Sequence, residues 1–409
     1  MGNRKYHKNT ADAGTTKYFD YSLLFIIIFL VLFGLVMLYS VSAYEGQDVF
    51  NDPFHYLKRQ AGCAFLGFIG MFIVSVIPCE WWKKLSFPSY VLSFLMCAAV
   101  IVVGKGSNGS TRWLKIGPIQ LQPSEIAKIA VIIFMAALLS RIPKQVKDLK
   151  SIIKVLLFVL PMVGVIAVSN LSTAIIVGGI AVLMIFVVSP KTKEFFVLGA
   201  GLVALGAIGV KMGGYRVTRI AAWLHPEDYP DEVYQTLQGM YAIGSGGLFG
   251  KGLGASVQKL GYVPEAQNDF IFTIICEELG LFGAICVILL FVLLLWRCMV
   301  IANNAPDLFS SLLVVGVMSH IALQVVLNIM VVTNWMPNTG IILPFFSYGG
   351  TSILILITEM GLVLNVSRRI KFDSNHPIEG CDLTVKRQRI IEKIGMIQKK
   401  KSQIRLGKC

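Results

Sequence analysis

Along most of this chain the apolar residues do not alternate with polar ones. They come in continuous runs of about 20, separated by polar turns and loops. The runs fall near 22–43, 58–77, 88–104, 125–140, 152–168, 171–188, 194–212, 270–296, 308–331 and 349–367. A helix of about 20 residues spans about 30 Å, the thickness of the hydrocarbon core of a bilayer, so the pattern predicts ten transmembrane helices. The period-two alternation of a membrane β-barrel is missing. The expected fold is an all-α integral membrane protein with one membrane domain over 21–370, flanked by polar tails at 1–20 and 371–409. The first run ends in SVSA, which loosely resembles a signal-peptidase site. Its apolar core is too long for a signal peptide, so it reads as an uncleaved anchor helix.

The basic residues orient these helices. Lys83 and Lys84, the group Arg141, Lys144, Lys147 and Lys150, then Lys191, Lys193 and Arg297, all fall in loops on the side of the N-terminus. The loops at 44–57 and 332–348 contain no Lys or Arg. By the positive-inside rule both termini are cytoplasmic, and two larger loops, 105–124 and 213–268, lie outside; the second is a large extracellular loop between helices 7 and 8. Composition agrees: of 409 residues 55% are hydrophobic and 15% charged, well below the quarter usual in soluble domains. The mean hydropathy is +0.70. A net charge of +14 would suit a nucleic-acid partner, but the basic residues sit in membrane-flanking loops and in the final tail, so the partner is the membrane and not nucleic acid. In that tail Ile390, Ile394, Ile397 and, after a gap, Ile404 fall at near-helical spacing, which fits either an amphipathic helix on an anionic leaflet or a solvated tail. The eight cysteines show no CxxC spacing and suggest no disulfide framework.

Candidate chemistry concentrates between Ala242 and Leu279. Seven glycines fall in the 21 residues from Gly244, then PEAQNDF, then an apolar run containing Glu277 and Glu278. The glycines match neither GxGxxG after a strand nor a P-loop, so a flexible cover over a substrate is expected, not a nucleotide cradle. Asp269 stands where a helix should begin. It can be an N-cap, or a base or metal ligand if a cavity opens beside it. Continued as a helix, Glu277 lies about 80° and Glu278 about 180° around the axis from Asp269, so the three do not face one cavity. A charged residue inside a span costs roughly 2.5–3.5 kcal/mol on insertion scales, so Glu277 and Glu278 are expected in buried pairs with Lys or Arg.

Elsewhere, RWLKIGPIQLQPSEIAK places Arg112 and Trp113 in an external loop, Pro123 at the first helical position and Glu125 in the first turn. Glu125 and Lys128 are three apart on one face, which makes a local ion pair. Arg112 and Trp113 fit an interfacial anchor, or a site for an amphiphile with an anionic head group. Tyr215, Arg216 and Arg219 begin the long external loop. NWMPNTGIILPFFSYGGTS breaks helix repeatedly, a pattern tolerated at membrane depth only against protein or a wet cavity, and it offers Ser347 and Tyr348 there. The five histidines do not cluster, and His320 inside a span is expected to be packed.

These segments, with NLSTA at 170–174, YRVTRI and LNVSRR, resemble the SEDS family (shape, elongation, division and sporulation), the FtsW/RodA/SpoVE group of bacterial cell-wall polymerases. The match runs from about 20 to 370 in the family's order. It implies ten transmembrane helices and a peptidoglycan glycosyltransferase of the cytoplasmic membrane that polymerises lipid II at the outer face. It further implies a divalent cation (Mg or Mn) and a class B penicillin-binding protein as partner. By resemblance Asp269 is the catalytic acid of PEAHTDF, here PEAQNDF. The substrate-binding set is Arg112, Trp113, Glu125, Lys128, Arg216, Arg219 and Ser347. No dedicated metal cage is visible in the sequence. The chain departs from the family with Gln267-Asn268 in place of His-Thr, and with Asn170-Leu171-Ser172-Thr173 in place of Asp-Leu-Gly-Thr. PEAQNDF and the basic tail point to an FtsW-like division role. Two other readings stay open on residues alone: a lipid II flippase, whose path the same charges would line, and a non-catalytic scaffold for a penicillin-binding transpeptidase.

Overall fold

The computed structural model describes residues 19–103, 105–107, 110–116, 119–142, 148–190, 194–195, 199 and 214–370. Three helices come first: α1 (Tyr21–Phe50), α2 (His55–Val76) and α3 (Cys79–Val103). Asp20 caps α1 by accepting from the Leu23 N–H at 2.9 Å. The helix then runs on two turns past the expected end of the span, to a left-handed Asn51. α3 starts nine residues earlier than the apolar run suggests. Pro88 lies inside it, and CEWWKKLSF forms the turns before that proline.

A small antiparallel sheet follows where the sequence pattern predicts a loop. β1 (Lys105–Ser107), β2 (Ser110–Ile116) and β3 (Ile119–Leu121) pair in that order, with Lys105 opposite Trp113 and Leu114 opposite Leu121. Thr111, Trp113 and Ile116 supply the aromatic and β-branched residues that favour strands. α4 (Pro123–Arg141) opens with the proline in its first turn, as its fixed φ and missing N–H allow.

The fifth expected span is a bent pair, α5 (Leu149–Leu157) and α6 (Leu160–Ser169), turned by 55°. Pro161 opens the second half and cannot donate back to the first. α7 (Leu171–Val188) follows, capped by Asn170, which accepts from the Thr173 N–H. The span expected over 194–212 lies almost wholly outside the described residues, as do the N-terminal tail to residue 18 and the C-terminal tail from 371.

The long loop expected over 213–268 is largely helical: α8 (Gly214–Leu224), a 3-10 turn at Pro226–Asp228, and α9 (Pro230–Ser245). The last three long helices are α10 (Ile271–Asn304), α11 (Leu308–Val332) and α12 (Gly350–Ser367). Among the described residues eight helices are long and apolar enough to span a membrane, and the bent pair makes a ninth. The chain is a multi-pass membrane protein.

α4, α11 and α12 are the most buried, while one face of α2 and of α3 turns outward. Without a hydrophobic drive between helices in lipid, small residues set the closest approaches. α2 and α12 meet this way: a Cβ on Gly361 would stand 2.5 Å from the Met71 carbonyl oxygen, and one on Gly67 would stand 3.2 Å from the Leu354 Cα. The helix ends sort into two faces. On one, Arg297 of α10 pairs with Asp20, and Arg369 pairs with Glu80 and Asp307. The other carries α8, α9, Asp269 and the 333–349 segment.

Candidate active site

Asp269 stands two residues before α10, and the chain reaches it through the glycine-rich segment. This segment is no free cover. From Gly246 onward its backbone lies along the first turns of α10. The N–H groups of Lys251 and Gly252 donate to the carbonyls of Glu277 (2.9 Å) and Glu278 (3.0 Å). In return Leu281 and Phe282 donate to the carbonyls of Gly247 (2.9 Å) and Leu248 (3.1 Å). α10 can exchange bonds in this way because it breaks at Gly280, with φ 67° and ψ −166°, a backbone state open to glycine. A Cβ on Gly250 would collide with the Glu278 carbonyl. The expectation of a flexible cover is therefore corrected: Gly246 and Gly250 permit backbone to touch backbone.

The two glutamates hold the same segment by their side chains. Glu277 accepts from Lys251 Nζ at 2.7 Å, from Ser256 Oγ, and from the N–H groups of Val257 (3.2 Å) and Gln258 (3.3 Å). Glu278 accepts from Lys259 Nζ at 2.7 Å and from Ser40 Oγ of α1 at 2.6 Å. Both carboxylates are fully buried and each is paired with lysine, as the cost of intramembrane charge requires.

The carboxyl of Asp269 is different. It is 9% exposed, and it does not cap α10, whose cap position is Phe270 with no side-chain bond. Burial pushes its carboxyl up to about 6, with the Glu265 carboxylate adding to the rise. Its own backbone N–H and the Arg219 guanidinium pull the other way. Loss of hydration disfavours the ionised form, so the group titrates near neutrality, where a base works best. The carboxylate sits beside Gly340: a Cβ built there would stand 3.9 Å from Asp269 Oδ2.

Four side chains fix the wall around it. Asn328 of α11 donates to the Asp269 carbonyl at 2.8 Å and to the Ile341 carbonyl at 2.7 Å. Ser172 of α7 donates to the Thr339 carbonyl at 2.7 Å, which gives the NLSTA segment a place next to Gly340. Arg219 of α8 donates to the Asn338 carbonyl at 2.8 Å. Gln60 of α2 donates to the Ser347 carbonyl (3.0 Å) and accepts from the Gly349 N–H (3.2 Å). The Tyr348 N–H donates to the Gln267 carbonyl at 2.8 Å, so the 337–350 and 265–269 segments are directly joined.

The remaining candidates divide. Glu125 and Lys128 form a buried ion pair at 2.9 Å, the local pairing that their spacing allows. Glu125 and Ser347 line one small cavity of about 10 Å³ with Gln324 and Ser352, space for about one water. The Ser347 hydroxyl accepts from the Leu343 N–H at 2.8 Å. Arg219 instead lines a cavity of about 820 Å³ with Trp223, Tyr234, Gln235, Asn334 and Asn338, on the same face as Asp269. Trp113 is half-buried on β2. Arg112 and Arg216 are placed on β2 and α8, but their side chains lie outside the described residues. Asn328 and Gln60 escape the sequence reading, and Ser172 enters it only as part of the NLSTA segment. The signal for the first is a polar amide inside an apolar run, which calls for a buried partner.

A multi-pass helical bundle that holds, at one end, a buried carboxyl titrating near 6 among broken-helix segments is the class of protein defined here. The chain belongs to the FtsW/RodA/SpoVE family of cell cycle proteins, whose sequence model matches residues 21–371. It is 41% identical over 373 residues to stage V sporulation protein E of Bacillus subtilis, covering 88% of this chain and 100% of that one. It is 37% identical to the probable peptidoglycan glycosyltransferase FtsW of a Geobacter species, covering 86% and 98%. Among solved structures it is similar to the rod shape determining protein RodA of Thermus thermophilus, with a TM-score of 0.63 at 28% identity, covering 87% of this chain and 98% of RodA. A chain of a peptidoglycan synthase complex that coordinates polymerization and crosslinking gives a TM-score of 0.70 at 28% identity, covering 87% and 99%.

Proposed function

We propose that this protein is a peptidoglycan glycosyltransferase that polymerises lipid II into glycan strands at the outer face of the cytoplasmic membrane. The observation that carries the reading is Asp269, a buried carboxyl raised to about 6 beside Gly340 and near Arg219, in a chain of this family. The acceptor is a sugar 4-hydroxyl, and the donor is an anomeric carbon bearing a polyprenyl pyrophosphate. Asp269 takes the hydroxyl proton as the oxygen bonds to the anomeric carbon. The carbon–oxygen bond to pyrophosphate breaks with inversion, and the electron pair leaves with the phosphate. General-base help of this kind contributes about 10²–10⁴-fold.

Negative charge builds on the leaving group, and fixed cations stabilise it. Arg219 is a described cation whose charge acts on Asp269, with Arg112 and Arg216 as further candidates and Trp113 for the lipid-linked head group. Lys128 is held by Glu125 and acts through that pair. Ser347 shapes the neighbouring wall. Among the described residues one group of side chains has the donors for a divalent cation: His225, Glu227 and Asp228, whose ligand atoms lie within 4.8 Å of one another. Two carboxylates and an imidazole suit Mn²⁺ and tolerate Mg²⁺. Glu227 lines the same cavity as Arg219. A cation there would neutralise phosphate charge.

The distribution of Lys and Arg supports cytoplasmic termini, and with them an external Asp269. A class B penicillin-binding protein is the proposed partner, to crosslink the strands. The test is polymerisation of purified lipid II in detergent. Long glycan strands are expected from the native protein, whereas movement of labelled lipid II across vesicles without polymer would mark a transporter instead.

A further inference from the structure

We infer that Asn328 is a positioning residue of the active site, whose side-chain amide holds the Asp269 peptide in the orientation that aims its carboxylate at substrate. The inference rests on the reading of Asp269 as the base. Asn328 lies in the last turns of α11, which ends at Val332. It is fully buried. Its Nδ2 makes two bonds of nearly equal length, 2.8 Å to the Asp269 carbonyl and 2.7 Å to the Ile341 carbonyl. Two carbonyl acceptors fix which end of the amide is nitrogen. The fork therefore joins the two segments that flank the carboxylate, at the residue after Gly340 on one side and at the carboxylate's own peptide on the other.

Packing alone does not account for this arrangement. Asn328 Oδ1 is buried without a hydrogen-bond partner among the described residues. A leucine would remove that stranded oxygen but would leave the Asp269 and Ile341 carbonyls without this donor, so the amide serves those two acceptors at the cost of burying its own oxygen. What it delivers is geometric. Asp269 lies outside α10, whose helical bonds begin after it, so its peptide carbonyl has no place in the ladder. The Tyr348 N–H fixes the Gln267 carbonyl two residues earlier, and Asn328 fixes the carbonyl of Asp269 itself. Removing that bond frees the peptide on which the carboxylate is mounted. The polar residues His320, Gln324 and Asn328 of α11 fall four apart on one face. The first two are separately engaged: Gln324 lines the small cavity with Glu125, and His320 Nδ1 meets Glu359 at 2.8 Å. Of the three, Asn328 reaches the catalytic segment.

The experiment compares full-length Asn328→Ala, Asn328→Ser and the isosteric Asn328→Asp with the native protein and with Asp269→Asn. Each is measured for lipid II polymerisation and for thermal unfolding in the same detergent. Loss of orientation without loss of binding predicts kcat lowered about 10–100-fold, with KM within about twofold. Serine, which keeps one donor, should fall between alanine and native. Aspartate, which sets a carboxylate against two carbonyls, should do no better than alanine. Full kcat in the alanine or aspartate variant would overturn the inference. So would a loss that merely tracks loss of folded protein in all three, or one confined to KM. An active Asp269→Asn protein would instead sink the assignment of the base, whatever Asn328 does. An inactive Asp269→Asn beside a fully active Asn328→Ala sinks only the present inference.

Discussion

Gly250 and Gly280 lie back to back: a Cβ built on Gly280 would collide with the Gly250 backbone nitrogen. This contact seats the glycine-rich segment in the break of α10, and the segment leads on to Asp269. Gly280→Ala adds a methyl where there is no room and forces a side chain into a φ of 67°. Strain and displacement together predict a loss of about 2–4 kcal/mol. Thermal unfolding in detergent measures it. An unchanged melting temperature would mean that the seat is looser than described.

Lys259 Nζ meets Glu278 Oε1 at 2.7 Å, with the two side chains 8% and 0% exposed. Removing one partner strands the other in a dry interior. Lys259→Met or Glu278→Leu alone should destabilise by about 3–5 kcal/mol, and the double variant Lys259→Met with Glu278→Leu should recover most of that loss. A double-mutant cycle read by thermal unfolding decides it. Additive losses in the two single variants would show that the pair is not coupled.

The apolar runs make the membrane class legible in the sequence, because hydrophobic length is set by the bilayer and not by tertiary contacts. The pairing of Glu277 and Glu278 with basic residues is legible for a related reason: buried charge must be met. The partners themselves, Lys251 and Lys259, are not, since they come from the glycine-rich segment whose path depends on the break at Gly280. Read as a loop, that stretch looks mobile. Read with its hydrogen bonds, it is part of the helix it covers. The helical wheel drawn from Asp269 also fails in detail, because the helix begins only at Ile271. The fork of Asn328 joins residues 59 and 13 positions away, a relation no local pattern encodes.

Asp269 should weaken the fold that carries it. Its folded pKa, about 6, lies above the unfolded value of about 3.9, so the folded state holds the proton more tightly. The stability linked to this proton is full below about pH 4 and is lost as pH rises through about 6. Two pKa units correspond to about 3 kcal/mol at neutral pH. Asp269→Asn should therefore melt higher than the native protein at pH 7.5, and the gap should close toward pH 4. A lower melting temperature for the asparagine variant at pH 7.5 would contradict this.

Arg219 lowers the pKa of Asp269 by its charge, and its donation to the Asn338 carbonyl holds it beside that wall. With Arg219 present, kcat/KM should rise with pH through about 6 and then level, since the base must be ionised. In Arg219→Gln the same rise should move to higher pH, because the opposing charge is gone. The plateau should also fall, by about 10-fold or more, if the guanidinium also meets the phosphate. A pH profile that keeps its midpoint would show that Arg219 does not act on Asp269.

The account turns on one acid. Native protein and Asp269→Asn, purified in the same detergent and shown to be equally folded, are given lipid II, and the glycan products are resolved by length. The native protein should yield long strands and the asparagine variant none, a loss of at least about 10²-fold. Strands of native length and rate from Asp269→Asn would contradict the claim that this carboxylate is the base.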